Sequence, residues 1–163
     1  MIISYIQKMN INPLNQRNNL DSNNIKLKNS YDQLQQLLIS IAQKELPETV
    51  IEKLNHAIDT LNAIDDSNPS LHKAIKNTQA SLLKILDKEL KVVPINHYKK
   101  LWMVLGMSAF GMPLGVAFGI SIGNLGLLGL GFPIGMAIGV FVGISQDKKA
   151  LAEGRQLAFE AKY

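Results

Sequence analysis

Residues 111–123 read GMPLGVAFGISIG, and residues 131–143 read GFPIGMAIGVFVG. The two segments align without gaps, and six of their 13 positions are identical: four glycines, a proline and an alanine. Their shared template, G-x-P-x-G-x-A-x-G-x-x-x-G, returns 20 residues on, which implies two copies of one structural element. Both copies lie in 101–146, a run of 46 residues without Asp, Glu, Lys, Arg or His that holds 11 of the chain's 12 glycines. One spanning helix needs roughly 20 apolar residues to cross a hydrocarbon core about 30 Å thick. The block is too long for one span and suited to two, with the break at Asn124, a polar turn former. Inside lipid each span has to be helical, because no water is present to satisfy free backbone groups. The reading is a two-helix transmembrane hairpin over 101–146.

The glycines recur at every fourth position: Gly111, Gly115, Gly119 and Gly123, then Gly131, Gly135, Gly139 and Gly143. On a helix of 3.6 residues per turn each set forms one slowly drifting stripe. Lipid supplies no hydrophobic drive for helices to associate, and small-xxx-small stripes let backbones approach closely enough for dispersion to hold them. These eight glycines are the candidate helix-packing residues, within one hairpin, between subunits, or both. Pro113 and Pro133 each sit two residues into the template, as a tolerated kink or as a hinge. The tolerated kink is the favoured reading.

The flanks set the orientation. Lys99 and Lys100 precede the first span, Lys148 and Lys149 follow the second, and the turn between carries no charge. The positive-inside rule then puts both ends in the cytoplasm, with Tyr98 and Trp102 as interfacial anchors beside the lysines.

The rest of the chain is of a different kind. Residues 1–100 hold 13 basic and 10 acidic side chains, too balanced for a nucleic-acid footprint. The absence of cysteine excludes disulfides, thiol chemistry and acylation of a lipoprotein cysteine. The first ten residues lack the basic and apolar regions of a signal peptide. Residues 1–30 read as a flexible, asparagine-rich segment. From about Tyr31 apolar residues recur at helical spacing. Leu34, Leu37, Leu38 and Ile41 mark a first helix; Val50, Ile51, Leu54, Ala57, Ile58, Leu61 and Ile64 a second; Leu71, Ala74, Ile75, Leu82, Ile85, Leu86 and Leu90 a third. Asn68 and Pro69 suit the N-cap and first turn of that third helix. The fold class is therefore all-α: a small cytoplasmic helical bundle over 31–91, a linker and interfacial anchor over 92–100, the glycine-zipper hairpin, and a cytoplasmic tail over 147–163 read as a short polar helix.

No chemistry-bearing constellation emerges. His56, His72 and His97 lie on separate segments without metal-ligand spacing, and the glycines do not form a phosphate loop. The spans contain no ionisable residue, which disfavours a proton relay or ion-coupled transport. No catalytic residue, metal or cofactor is expected.

Residues 111–143, followed by Asp147-Lys-Lys-Ala150 and Glu153-Gly-Arg-Gln-Leu157, resemble bacterial proteins of the glycine-zipper family over about 95–163. The resemblance implies a self-associating membrane hairpin and supplies no catalytic residues. The expectation is a non-enzymatic protein of the bacterial inner membrane with two spans and both termini cytoplasmic. It would self-associate as a homo-oligomer and anchor a helical domain that engages a cytoplasmic protein partner. The alternative is a small oligomeric pore or membrane-permeabilising component.

Overall fold

In a computed structural model, residues 10–17 and 25–161 of the 163-residue chain are described. Their regular secondary structure is mainly helical, in the order α1 (Ile25–Ile41), α2 (Glu48–Asn62), α3 (Leu71–Leu90) and α4 (His97–Gly106), then a π-turn (Met107–Gly111) and α5 (Met112–Ile122). A 3-10 segment (Leu125–Leu130) and α6 (Gly131–Ala152) follow. They divide into two compact units, one built from residues up to Val93 together with the segment from Leu157, the other from Pro94–Gln156.

In the first unit α3 packs against both α1 and α2. The stripes expected from the sequence form its core: Leu34, Leu37, Leu38 and Ile41 from α1, Leu54, Ile58 and Leu61 from α2, and Ile75, Leu82 and Leu86 from α3 are all fully buried. α1 starts six residues before the expected Tyr31, and Leu27 and Ser30 extend its buried face. Two successive side-chain turns connect α2 to α3. The Asp65 carboxylate accepts from the Ser67 N–H at 2.8 Å, and Asn68 Oδ1 accepts from the Ser70 N–H at 2.9 Å. The two Ser67 bonds hold the Asp65 carboxyl below its ordinary pKa. α3 therefore opens at Leu71, and Asn68 shapes the approach to the helix rather than capping it.

The asparagine-rich N-terminal segment departs from expectation where it is described. Its residues 1–9 and 18–24 lie outside the described part of the chain, as do 162–163. Residues 10–17 are an extended strap held against α2. The Asn12 N–H donates to Asn55 Oδ1 at 2.8 Å and the Asn15 N–H to Asn62 Oδ1 at 3.0 Å. In return the side-chain amides of Asn55 and Asn62 donate to the Asn10 and Pro13 carbonyls at 2.7 and 3.0 Å. The match is geometric. Three residues of extended chain cover about 10 Å, as do seven residues of helix. At the end of the strap Arg17 is buried, donating to the Leu61 and Ile64 carbonyls at 2.8 and 2.6 Å and to Asp66 at 2.6 Å. A cation thus meets the C-terminal carbonyls of α2. Composition suggested flexibility because asparagine buries little apolar surface. The ladder instead uses its capacity to donate and accept at once.

The tail departs from expectation as well. α6 runs on to Ala152 and closes in a Schellman motif: Gly154 adopts φ +70°, its N–H bonds the Leu151 carbonyl at 3.0 Å, and the Arg155 N–H bonds that of Ala150 at 2.8 Å. Beyond it the described residues, up to 161, are not helical. Leu157, Phe159 and Ala161 are buried in the core of the first unit, and the Leu157 N–H donates to the Val93 carbonyl at 2.9 Å. The chain thus leaves the bundle after Val93, forms the second unit, and comes back to complete the first.

In the second unit α4, the π-turn and α5 form one arm of a hairpin and α6 the other. His97–Ile122 and Leu128–Ala152, of 26 and 25 residues, are long and apolar enough to cross a membrane.

Candidate functional site: the glycine face of the apolar hairpin

The glycines of the two arms face one another. A methyl carbon placed on Gly135 would stand 2.7 Å from the Gly111 Cα, and one on Gly111 would stand 3.1 Å from the Gly131 carbonyl oxygen. Near the open end of the hairpin a methyl on Gly143 would meet the Lys99 Cα at 2.5 Å, and one on Gly139 the Gly106 Cα at 3.1 Å. Carbon atoms in ordinary contact are about 3.5–4.0 Å apart, so backbone lies against backbone here with no room for a side chain. Gly106, Gly111, Gly115, Gly119, Gly131, Gly135, Gly139 and Gly143 are buried.

Two of the eight expected packing glycines behave differently from the rest. At Gly119 an added methyl would be in ordinary contact, 3.6 Å from the Asn124 oxygen and from the Leu128 side chain. Gly123 is exposed, has nothing within 4 Å, and takes φ +70° as the residue that ends α5. Its N–H and that of Asn124 bond the Ile120 and Gly119 carbonyls. Antiparallel arms explain the difference. The two copies of the template run in opposite directions, so the last glycines of the first copy reach the turn while those of the second reach back to residues before the first copy.

Those earlier residues include Gly106, which sequence reasoning passed over because it lies five residues before Gly111. In an α-helix five residues turn the chain by about 500°, leaving Gly106 some 140° away from the stripe. The π-turn over Met107–Gly111, marked by the Met112 N–H bonding the Met107 carbonyl, takes up the extra residue. Gly106 is thereby brought onto the same face as Gly111 and against Gly135 and Gly139. Pro113 directly follows this wide turn, where the tight i→i−4 ladder it would disrupt is already open. Pro133 lies in the first turn of α6, where no intrahelical donor is lost. The paired prolines thus occupy different local structures, and the equivalence suggested by the repeat does not extend to them.

A second residue missed from sequence fixes the open end. Asp147, on α6, is buried, and its Oδ1 and Oδ2 accept from the Tyr98 and Lys99 N–H groups at 3.0 and 2.9 Å. The residue before α4, Asn96, offers no side-chain cap. A carboxylate from the opposite arm therefore satisfies the free donors of α4 and complements the positive end of its dipole. In sequence Asp147 looked like the first residue of a polar tail. Only the register between arms reveals its partner. That register gathers Lys99, Lys100, Lys148 and Lys149 at one end, where Tyr98 and Trp102 are half-buried and Lys148 and Lys149 exposed. Trp102 and Tyr98 also present backbone to Gly139 and Gly143.

Side-chain size is sorted in the reverse of a water-soluble core. The glycines are inside, while Leu105, Phe110, Phe118, Ile120, Ile138 and Phe141 are exposed, Phe141 by 82%. Among the described side chains between Leu101 and Lys149, none of the large apolar ones is buried. Of the polar residues, Ser108 bonds the Val104 and Leu105 carbonyls of its own helix at 3.2 and 3.1 Å. Asn124 accepts from the Gly126 N–H at 2.9 Å in the turn. Among the described residues no three His, Cys, Asp or Glu side chains converge. His56, His72 and His97 stand on α2, α3 and α4. No family model, curated protein or solved structure matches the chain.

Proposed function

We propose that this chain is a non-enzymatic integral protein of the bacterial inner membrane, whose hairpin anchors a cytoplasmic helical bundle that engages a protein partner. One observation carries the reading: the hairpin buries glycine and exposes Leu, Ile, Val and Phe. In water that arrangement leaves an apolar surface far beyond the few hundred Å² a soluble monomer ordinarily shows. In lipid it is the favourable one, since tails solvate large side chains and the small residues let the helices touch. We read the glycine face as an intramolecular zipper, closed within one chain. Self-association through those glycines is accordingly not part of the proposal.

The pore alternative has less support. Ser108 is satisfied by its own helix and Asn124 by the turn, so no continuous polar line runs along the arms. The four lysines at the open end and the uncharged turn support a topology with both ends cytoplasmic.

The chain contains no cysteine, so single-cysteine variants at Ser67, Leu130 and Lys149 report topology without background. In intact spheroplasts an impermeant maleimide should label Leu130→Cys alone, and the other two should react only after permeabilisation. Labelling of Ser67→Cys in intact spheroplasts would overturn the orientation. Extraction of the protein by alkaline carbonate would overturn membrane integration.

A further inference from the structure

The strap over residues 10–17 is held differently from an ordinary core segment. α1 and α2 each pack on α3 but make little direct contact with one another. The strap bridges them: the Tyr31 hydroxyl on α1 donates to the Asn15 carbonyl at 2.7 Å, and α2 supplies the asparagine ladder. Asn55 and Asn62 stand seven residues apart, two turns along one face of the helix. Each uses its amide twice, accepting from the N–H of one strap residue and donating to the carbonyl two residues earlier. All four bonds go to main chain, so the ladder recognises an extended backbone whatever side chains it carries. Main-chain bonds for affinity and side-chain pockets for specificity are the division of labour found in peptide-recognition surfaces.

The side chains that enter are three residues apart. Ile11 and Arg17 are buried and Leu14 is half-buried against the core, while Pro13 and Gln16 are exposed. A period of three is that of a polyproline II chain. Arg17 ends the register on the Leu61 and Ile64 carbonyls and the Asp66 carboxylate. The remaining polar contacts, from the Asn12 amide to Asp59 and from the Asn15 amide to the Asn62 carbonyl, lie at the exposed rim. The pattern recognised is therefore apolar-x-x-apolar-x-x-Arg on an extended backbone. The groups that bond it lie on α1, α2 and the turn after α2, and none of them requires the ligand to belong to the same chain.

We infer that this surface of α1 and α2 is a peptide-binding site, filled in cis by residues 10–17 and able to take instead an extended segment of a partner protein with two apolar residues three apart and an arginine three further on. The inference rests on the reading that the bundle engages a protein partner, and it names the site and the form of that partner. As part of the chain, the strap competes at an effective concentration on the order of 1 mM.

The test uses the full chain in an uncharged detergent and a fluorescent peptide with the sequence of residues 10–17, read by anisotropy. The chain's own strap is disarmed by Asn12→Pro with Asn15→Pro, which removes the two N–H donors to the ladder. That variant should bind the peptide roughly ten-fold more tightly than the wild type does, and Asn55→Leu with Asn62→Leu should cancel the gain. A peptide with alanine at positions 12, 13, 15 and 16 should bind within a few-fold of the original, and one with Arg17→Met roughly ten-fold more weakly. Thermal unfolding checks that the bundle remains folded; where the proline pair unfolds it, Arg17→Met in the chain serves as the disarmed strap. Equal binding by the wild type and a folded disarmed chain, no binding by either, or undiminished binding of the Arg17→Met peptide overturns the inference. A wild-type dimer that the peptide dissolves would give the site to the strap of a second copy and overturn the assignment to a partner protein. The readout is independent of topology, so loss of this site leaves the membrane anchor standing, and maleimide labelling tests the anchor separately.

Discussion

Replacing Gly135 with alanine adds one methyl where the two arms lie backbone against backbone. That carbon would stand 2.7 Å from the Gly111 Cα and 2.5 Å from its nitrogen. Both neighbours are backbone, so neither can turn aside, and the arms must separate by about 1 Å to restore ordinary contact. A radial gap of that size forfeits a quarter to a half of each nearby dispersion interaction, and overpacking of this kind costs about 1–3 kcal/mol. Alanine returns up to about 1 kcal/mol through its better helix propensity. The net expectation is a loss of about 1–2 kcal/mol. Two controls carry the same substitution. At Gly129 a methyl meets nothing within 4 Å, and at Gly119 it meets only ordinary contacts at 3.6 Å. Reversible unfolding in mixed detergent micelles, followed by circular dichroism, should show a lower midpoint for Gly135→Ala and near-native midpoints for Gly129→Ala and Gly119→Ala. The comparison with Gly119 is the sharper one, since both residues belong to the glycine stripes of the repeat and only Gly135 is pressed against backbone. Equal midpoints for all three variants would refute the contact reasoning.

Other expectations concern the supports on either side. Asp147→Ala leaves the Tyr98 and Lys99 amides without their acceptor, which should reduce hairpin stability by about 1–2 kcal/mol and speed hydrogen exchange at those two amides. Arg17→Met should destabilise the bundle by about 1–3 kcal/mol in urea, and Arg17→Lys should recover little, since one ammonium cannot reproduce the planar fork across Leu61, Ile64 and Asp66. Leu157→Ala should cost about 2–5 kcal/mol although the residue follows the hairpin in sequence, because its side chain is fully buried in the bundle core. Acid should weaken the bundle through Asp65 and Glu89, whose carboxyls are held below their ordinary pKa by Ser67 and by Lys53 respectively. A depressed folded-state pKa contributes stability above the unfolded value, and that contribution is lost as pH falls through the folded one. The decline should therefore begin below about pH 4, and Asp65→Asn should flatten it.

Much of the architecture was legible because it rests on periodic burial. The apolar stripes of the three bundle helices and the two arms of the hairpin are one-dimensional patterns, and Leu34, Leu54, Ile75 and Leu82 fall where those patterns put them. What escaped is pairwise. Asn12 with Asn55, Arg17 with Leu61, Asp147 with Tyr98 and Leu157 with Val93 depend on which distant residues the fold brings together. None of these alters a local period. The glycine face was legible in its composition and not in its register. The sequence displays a translation by 20 residues, whereas antiparallel arms reverse one copy relative to the other. Gly106 was hidden by a spacing of five, which becomes readable once a π-turn is admitted as a way to keep a stripe in line.

The return of Leu157 and Phe159 to the bundle has a consequence for the order in which the protein is made. Chains emerge from the ribosome N-terminus first and fold unit by unit. Here the bundle cannot complete its core when its three helices have been synthesised, because three of its buried side chains, Leu157, Phe159 and Ala161, are encoded beyond the hairpin. During that interval an incomplete apolar core waits in water while the most apolar part of the chain, 101–146, passes through the tunnel. Synthesis of the hairpin therefore precedes closure of the bundle, and the segment from Leu157 acts as the final stitch.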